Sequence, residues 1–326
     1  MAQGNFDVVV TGIRQLTPRV REFLLRSADG SALPDHAAGA HVAVHTVSAE
    51  RGLIVRHYSL VGGDGELADD PRNTYRIAVQ REDHARGSAH IHASFQVGTR
   101  LQVGPPVNNF PLARRDPHVL LIAGGIGITP IFSMARSLAR RRRPFQVIYA
   151  GRHASAMAYH DDLARLAGDR VRFHYSDSQG HPDLEAWLRE QPGDTAVYVC
   201  GPARMIEATH AAAARLGWAA ERVRSEMFGA GFSGHATAFD VELKRSGRTV
   251  HVGADVSILD ALLADGVPVL WDCRRGECGL CPQNIVSADG PIDHHDRYLS
   301  AEEKAANDSL CICVSRTRGS RLVLDA

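Results

Sequence analysis

The stretch CRRGECGLC at residues 273–281 gathers three of the six cysteines of this 326-residue chain into one short loop. Gly276 and Gly279 lie between the thiols, and glycine lets a tight loop adopt unusual φ angles while backbone N–H groups approach sulfur. Clustered thiols in a long chain without a secretory leader indicate a metal site more strongly than a disulfide framework.

The spacing of these cysteines separates two kinds of metal site. Zinc sites favour two Cys-x2-Cys pairs, and this region holds only one, Cys278 and Cys281. Four residues between Cys273 and Cys278, then two before Cys281, is the spacing that holds a [2Fe–2S] cluster with a fourth cysteine far downstream. We therefore predict an iron–sulfur centre with these three ligands. The spacing alone leaves Cys311 and Cys313 open as the fourth.

Composition excludes several classes of protein. Charged residues make up 23% of the chain and the apolar set 44%, which argues against disorder. Lys+Arg and Asp+Glu number 37 each, so we predict no nucleic-acid partner. Glycines and a proline interrupt the most apolar stretch, residues 118–135, and no basic residue precedes the first apolar run. We expect neither a membrane span nor a signal peptide, and predict a cytoplasmic protein.

Three regions of the chain differ in the pattern of their apolar residues. In the first, short β-rich runs punctuated by Gly, Pro, Asn and Asp predict an antiparallel β-barrel. These runs are residues 7–10, 20–25, 41–45, 56–60, 75–80 and 100–103. In the second, strands alternate with helices, which predicts a doubly wound parallel α/β sheet. The strands are 119–123, 146–150, 171–175 and 196–200, and the helices are 131–141, 160–167, 182–190 and 204–216.

The third region begins after a glycine-rich segment. Three glycines within residues 229–234 predict a linker. Beyond it, an alternating run at 239–244, a strand at 249–252 and a helix at 258–264 capped by Gly266 predict a compact α+β unit around the cysteines. We therefore predict a multidomain chain with domains at 1–113, 114–229 and 239–326, the last two joined by a linker at 230–238.

The loop after the strand at 119–123 has the composition of a phosphate-binding turn. Gly124, Gly125 and Gly127 let the backbone approach a pyrophosphate, Thr129 is placed to cap the next helix, and Pro130 suits its first position. The spacing differs from G-x-G-x-x-G, so an ordinary strand-to-helix turn is the alternative. We predict a nicotinamide dinucleotide site here.

Residues 56–59 predict a flavin site. Arg56 and Tyr58 alternate on a strand and therefore share a face, where a guanidinium can pair with phosphate and a ring can stack on isoalloxazine. Ser59 can hydrogen-bond near the flavin N5 atom. Arg56-His57-Tyr58-Ser59 resembles the Arg-x-Tyr-Ser signature of the ferredoxin reductase-like flavoproteins. The resemblance implies that all four residues contact the flavin.

Further segments resemble reductases of the phthalate dioxygenase and vanillate demethylase type. Residues 106–112 are similar to the end of their flavin barrel. Those relatives bind FMN rather than FAD. Their Arg-Gly-Gly-Ser motif corresponds in this chain to Arg86-Gly87-Ser88, which is one glycine shorter. We expect a Gly-Ser turn there to cradle the phosphate. The implied FMN contacts in this part of the chain are Ala78, Val79, Arg81, Gly87 and Ser88.

The nucleotide-binding region carries two further matches to the same family. Cys200-Gly201-Pro202 resembles the element beside the nicotinamide, and residues 225–228 resemble the segment that packs near the flavin. The resemblance implies that Cys200 and Glu226, with Ser59, form the environment of hydride transfer. It also implies FMN contacts at Thr129 and Phe228 and NAD contacts at Thr129, Cys200, Gly201 and Pro202.

The C-terminal residues bear on which cysteine is the fourth ligand of the cluster. Cys313-Val-Ser-Arg316 resembles the C-terminal signature of the phthalate dioxygenase reductase type, in which the leading cysteine is the ligand. A two-residue insertion within 288–295 would account for the longer gap. The resemblance therefore implies Cys313 as the ligand, with Cys311 as the alternative. It also implies a plant-type ferredoxin domain of β-grasp fold.

These sites together predict a function. Nicotinamide gives up two electrons as hydride and a [2Fe–2S] centre accepts one, so a flavin must stand between them. We predict an NADH-dependent, monomeric reductase for a Rieske-type aromatic oxygenase or demethylase, with Arg274 and Arg275 in its docking surface. The alternatives are a reductase for a cytochrome P450 and a non-catalytic redox sensor or electron-storage module. Arg152 and Ser155 after the second strand would favour NADPH if they contact a 2′-phosphate rather than solvent, whereas the resemblance favours NADH.

Overall fold

The computed structural model describes residues 4–48, 52–62, 73–82, 86–228, 237–254, 256–271, 276 and 278–326. The chain divides into two compact units, Met1–Met227 and Phe228–Ala326. The first unit contains a six-stranded and a five-stranded sheet, and the second contains a five-stranded and a two-stranded sheet. Residues 230–236 of the predicted linker lie outside the described residues, and the predicted domain boundaries stay predictions.

The six-stranded sheet is antiparallel and closes on itself. Its strand order is β4-β3-β6-β1-β2-β5, and an isolated bridge between Leu60 and Ile77 joins the two outer strands. Fully buried side chains such as Phe23 and Val42 fill the interior, so the sheet is the predicted barrel. The elements are β1 (Phe6–Thr17), β2 (Val20–Ser27), β3 (His41–Ser48), β4 (Gly52–Ser59), β5 (Thr74–Gln80), α1 (Arg86–Ser94) and β6 (Arg100–Val103).

The five-stranded sheet of the first unit is entirely parallel, with the order β11-β10-β7-β8-β9. The chain order reverses between β7 and β10, and ligands of open α/β sheets bind at the carboxyl ends of strands at such a point. The strands are β7 (His118–Gly124), β8 (Phe145–Gly151), β9 (Val171–Tyr175), β10 (Thr195–Cys200) and β11 (Val223–Glu226). The helices are α2 (Ile128–Arg140), α3 (His160–Ala167), α4 (Ser176–Gln179), α5 (Leu184–Arg189) and α6 (Ala203–Arg215).

The buried Tyr198 side chain binds the segment that connects the barrel to the parallel sheet. The Tyr198 hydroxyl on β10 donates to Asp116 Oδ2 at 2.6 Å and accepts from the Ala113 amide at 2.8 Å. Arg224 on β11 contacts both Asp116 and Tyr198. The connecting segment is therefore held against the central strands of the sheet.

The second unit is a mixed sheet covered by one helix. Its order is β13-β12-β18-β14-β16, with β12 and β18 parallel and the other pairs antiparallel. Ile258, Leu259 and Leu262 bury the inner face of α7, whose first turn is capped by the Ser257 side chain. The elements are β12 (Phe239–Leu243), β13 (Arg248–Val252), α7 (Ile258–Ala264), β14 (Pro282–Ala288), β15 (Ile292–Asp293), α8 (Ala301–Ala306), β16 (Ser309–Cys311), β17 (Arg316–Thr317) and β18 (Arg321–Leu324). The predicted fold class, with barrel, doubly wound sheet and α+β unit, is confirmed.

Three local predictions are wrong. Pro130 is the third residue of α2 and not the first, because the helix begins at Ile128. Gly87 and Ser88 lie in the first turn of helix α1, where the sequence predicted a Gly-Ser turn. Thr129 does not cap α2: the cap residue is Gly127, and the Thr129 hydroxyl donates to the Ile126 carbonyl at 3.1 Å. The reason is that a 3-10 turn at Gly125–Gly127 runs directly into the helix, which places Thr129 inside its first turn.

Helix length also bears on the expected absence of a membrane span. Across the described stretches of the chain, each helix is too short or too polar to cross a bilayer.

Candidate functional site

The end of strand β4 presents a buried hydroxyl. Ser59 is 5% exposed, and within the described part of the chain its Oγ has no hydrogen-bond partner. Tyr58 is half-buried, and burial raises the pKa of its phenol, so the ring is neutral. The ring of neighbouring His57 meets that of His41 edge-on at 5.5 Å. A buried polar atom normally has a partner, so Ser59 fits a ligand that supplies one.

Helix α1 begins against the Arg56 side chain. A Cβ on Gly87 would lie 2.8 Å from Arg56 Nε, closer than real Cβ atoms come. The Ser88 hydroxyl accepts from the Glu82 amide at 3.0 Å. A guanidinium beside a helix N-terminus suits a phosphate, so this corner fits the phosphate end of FMN.

The other predicted FMN contacts differ in their burial and in their hydrogen-bond partners. Val79 is fully buried in the barrel core, and His92 Nε2 lies 2.9 Å from its carbonyl. Ala78 is buried on the same strand, and the Arg81 carbonyl accepts from the Arg19 guanidinium. Thus Val79 can reach a ligand only through its backbone.

The predicted nicotinamide residues converge at the carboxyl ends of β7 and β10. A Cβ on Gly127 would lie 2.2 Å from the Cys200 carbonyl oxygen, and one on Gly124 would lie 2.7 Å from Pro202 Cδ. A Cβ on Gly201 would lie 3.0 Å from Gly124 Cα. Only glycine permits this approach, so the two motifs, far apart in sequence, lie in contact at the point where strand order reverses, and open α/β sheets bind ligands in the crevice outside such a point.

Strand register aligns two of the three residues that are predicted to form the environment of hydride transfer. Cys200 pairs with Ala123 of β7 on one side and with Glu226 of β11 on the other. Cys200 is fully buried and Glu226 is 1% exposed. The sequence did not predict β11 as a strand, and this pairing brings Glu226 beside the crevice.

Loop residues near the crevice differ in exposure. Thr129 is buried in the first turn of α2, whereas Arg152 and Ser155 are exposed after β8. The Arg152 carbonyl accepts from the Asp177 amide at 3.2 Å, and Ser155 Oγ lies 2.9 Å from His153 Nδ1. Exposure at this position is compatible with both alternatives for Arg152 and Ser155, so the choice between a 2′-phosphate contact and solvent stays open.

The sequence reasoning missed Tyr149, on strand β8. Its hydroxyl lies 3.1 Å from the Gly125 carbonyl and 3.1 Å from the Ala158 carbonyl, and its side chain is fully buried. A tyrosine that follows the apolar pair Val147 and Ile148 on a strand is a usable signal, because a buried phenol needs a partner.

The cysteines of the second unit come together around Cys281. Its Sγ lies 3.2 Å from Cys313 Sγ. Hydrogen bonds from Cys311 and Cys313 lower the pKa of the Cys281 thiol to about 3, and the thiolate is the form that binds metal. Cys278 is half-buried at the same loop. Cys273 lies outside the described residues, as do Arg274 and Arg275.

Two glycines let the cluster loop fold tightly. Gly276 has φ +72°, and its carbonyl accepts from the amides of Arg297 and Tyr298 at 2.8 and 3.0 Å. Gly279 also has φ +72°, and a Cβ there would lie 2.1 Å from the Tyr298 ring. Cys278 and Cys281 therefore lie on a loop that only glycine allows, and such a loop, with the Cys281 thiolate beside Cys313, fits a [2Fe–2S] cluster.

Family models match two parts of the chain. Residues 96–223 match the N-terminal domain of the dimethylamine monooxygenase subunit DmmA-like family. Residues 241–318 match the 2Fe-2S iron-sulfur cluster binding domain. The second match covers the unit in which Cys278, Cys281 and Cys313 lie.

Similar proteins cover nearly the whole chain. The heme-dependent oxidative N-demethylase beta subunit of Ectopseudomonas mendocina is 40% identical over 98% of both chains. The vanillate O-demethylase oxidoreductase of Acinetobacter baylyi is 35% identical over 98% of this chain and 99% of its own. The solved structure of phthalate dioxygenase reductase, described as modular for electron transfer from pyridine nucleotides to [2Fe–2S], is 31% identical with a TM-score of 0.82, covering 99% of this chain and 98% of its own.

These matches confirm the predicted family, the oxidoreductase activity and the [2Fe–2S] cofactor. The chain belongs to the oxygenase reductase subunits of the phthalate dioxygenase reductase type, in which a flavin- and nicotinamide-dependent reductase is joined to a [2Fe–2S] domain.

Proposed function

We propose that this chain is the reductase component of a Rieske-type aromatic oxygenase or demethylase and uses NADH as its reductant. One contact supports the proposed electron transfer from NADH to the flavin. The Ser133 hydroxyl on α2 donates to the Gly62 carbonyl at 3.3 Å, which joins the helix after the glycine turn to the segment after Ser59. The candidate nicotinamide and flavin residues therefore belong to adjoining parts of one unit.

We assign the following roles to the flavin-binding residues. The Ser59 hydroxyl donates to the flavin near N5, and Tyr58 packs against the ring. Arg56 pairs with the phosphate beside Gly87 and Ser88. Bound FMN supplies the chemistry of accepting a hydride pair and releasing electrons singly.

The nicotinamide and cluster residues act mainly by placement. Gly124, Gly125 and Gly127 admit the pyrophosphate, and the buried row of Cys200 and Glu226 keeps water from the reacting ring. Four cysteines would hold the cluster. These are Cys273, Cys278, Cys281 and Cys313.

The visible spectrum of the purified holoprotein tests this proposal. We expect flavin and iron–sulfur absorption that bleaches on anaerobic addition of NADH, and FMN as the released flavin. Addition of an oxidised Rieske oxygenase should then restore the colour. A protein that NADH does not bleach would contradict the reductase assignment, whereas bleaching without transfer to the oxygenase would contradict only the partner. Steady cytochrome c reduction by NADH would exclude the sensor or electron-storage alternative.

A heme protein is the second candidate partner. The relative from Ectopseudomonas mendocina is a subunit of a heme-dependent demethylase, which favours a heme acceptor of the kind that a cytochrome P450 would also provide. Parallel assays with a Rieske oxygenase and a heme monooxygenase distinguish the two, because the natural partner should be reduced much faster at equal concentration.

We also propose that the chain acts as a cytoplasmic monomer without nucleic acid or membrane partners. Its equal numbers of acidic and basic residues support the absence of a nucleic-acid partner. Its use of NADH, a cytoplasmic reductant, supports the location. Gel filtration of the holoprotein at two concentrations tests the monomer, since a dimer would elute at twice the mass.

Ser59→Ala tests the flavin site. We expect the NADH-dependent reduction of FMN to slow by about 10-fold to 100-fold, because a group placed for transfer contributes on that order. Stability of the FMN-free protein should be unchanged or slightly higher, since the Ser59 hydroxyl has no partner among the described residues. Stopped-flow absorbance at the flavin band measures the rate. An unchanged rate would place Ser59 outside the transfer site.

A further inference from the structure

A buried carboxylate on the outside of the barrel faces the parallel-sheet region. Glu22 on β2 is 4% exposed, although the next residue, Phe23, points into the barrel core. Because side chains alternate along a strand, Glu22 points away from that core. Arg14 and Arg76 both bind its carboxylate at 3.2 Å. The buried charge is therefore satisfied within the barrel on two sides.

The third partner comes from the nucleotide-binding region. The Tyr159 hydroxyl donates to Glu22 Oε2 at 2.8 Å, and its ring stacks on Phe132 of α2 with centroids 5.1 Å apart. Arg14 extends the contact, because it also binds Asp162 at 3.0 Å. Burial and the Glu22 charge hold the pKa of the Tyr159 phenol well above its usual range, so the hydroxyl remains a donor.

Tyr159 holds this position at a conformational cost. It precedes helix α3 with φ +59°, in the left-handed region that a bulky side chain rarely adopts. Its side chain is only 2% exposed. Strain of this kind persists where the surroundings fix it, and it concentrates at functional sites.

Glu22 and Tyr159, the two partners of this hydrogen bond, each lie close to predicted cofactor-binding residues. Glu22 is paired in register with Ala78, a predicted FMN contact on β5. On the other side, the Tyr149 hydroxyl lies 3.1 Å from the carbonyl of Ala158, next to Tyr159, and 3.1 Å from the carbonyl of Gly125 in the predicted nicotinamide turn, and it can donate its single proton to either one. Hydrogen bonds and backbone therefore connect the flavin wall, which is the part of β5 that carries the predicted FMN contacts, to the glycine turn through Glu22, Tyr159 and Tyr149.

We propose that Tyr159 is a positioning residue for hydride transfer, and that its bond to Glu22 fixes the distance between the nicotinamide turn and the flavin wall. The proposal rests on the proposed NADH-to-FMN path. A small misplacement of reacting groups slows transfer strongly, because the reacting atoms must approach to about 3–3.5 Å. Tyr159 touches neither cofactor in this role and acts through the two elements it joins.

Tyr159→Phe removes the hydroxyl and keeps the ring on Phe132. We expect the limiting rate of FMN reduction at saturating NADH to fall about tenfold, while the KM for NADH changes less than threefold. The long-wavelength absorption given by a nicotinamide stacked on the flavin should weaken. FMN content and the cluster spectrum should match the wild-type protein. Stopped-flow absorbance under anaerobic conditions measures both the rate and the long-wavelength band.

Tyr75→Phe is the matched control. The Tyr75 hydroxyl is also a buried donor, to the Pro34 carbonyl at 2.7 Å, but its bond stays inside the barrel. Equal rates for the two variants, or an unchanged band in Tyr159→Phe, would overturn the proposal. In the double variant Tyr159→Phe/Glu22→Gln, the rate should be no lower than in the slower single variant, because both residues act through one bond. A wild-type protein that NADH does not reduce would instead contradict the proposed function.

Discussion

Cys313→Ser is expected to remove the [2Fe–2S] cluster and to leave FMN reduction by NADH intact. Cys313 Sγ lies 3.2 Å from Cys281 Sγ, so the two thiols are close enough to bind the same cluster. Serine is a poor substitute for thiolate at iron. Altering an outer-shell partner alone costs metal affinity about 10-fold to 100-fold, and loss of a ligand should exceed that. Iron content and the electron paramagnetic resonance signal of the dithionite-reduced protein measure the loss.

Cys311→Ser is the matched control for this ligand. Cys311 contacts the same Cys281 thiol, but it is fully buried at the end of β16, where it pairs with Pro282. We expect this variant to keep its iron and its signal. If Cys311→Ser loses the cluster and Cys313→Ser keeps it, the ligand assignment is reversed. Cytochrome c reduction should follow the iron content in both variants, while anaerobic bleaching of FMN should not.

Gly127→Ala is expected to weaken NADH binding by tenfold or more. The added Cβ would lie 2.2 Å from the Cys200 carbonyl oxygen, so the end of β10 must move away from the turn. Gly127 has φ −60°, which alanine adopts readily, so the effect is steric rather than conformational. Overpacking of this kind costs about 1–3 kcal/mol of folding stability. The displacement that relieves it moves the backbone of the predicted nucleotide site, and a loss of about 1.4 kcal/mol of binding free energy there corresponds to tenfold in affinity.

Gly193→Ala separates this effect from a general glycine effect. Nothing lies within 4 Å of a Cβ at Gly193, which belongs to the same unit. We expect NADH affinity to remain at the wild-type value in this control, and the cluster spectrum to be unchanged in both variants. Titration calorimetry with NAD⁺ and the KM for NADH are the measurements. Unchanged affinity in Gly127→Ala would show that the crevice between β7 and β10 is not the nucleotide site.

Much of the fold follows from local patterns in the sequence. The helices at 160–167 and 258–264 and the strands at 100–103 and 171–175 have the predicted bounds. Their hydrophobic periods and flanking glycines are local properties, which a sequence displays directly. Helix α1 was missed because the sequence Arg86-Gly87-Ser88 has turn composition, and burial of Ile91 and Phe95 against the barrel outweighs that local preference.

The cofactors were also predictable from the sequence, because cysteine spacing, glycine turns and the Arg-x-Tyr-Ser strand are short-range signals tied to specific chemistry. The arrangement of those residues required the tertiary structure. Pairing of Cys200 with Glu226 depends on a strand that the sequence did not reveal, and the Tyr159 bond to Glu22 joins residues 137 positions apart. Contacts at such separation depend on how sheets pack, and no local pattern encodes that packing.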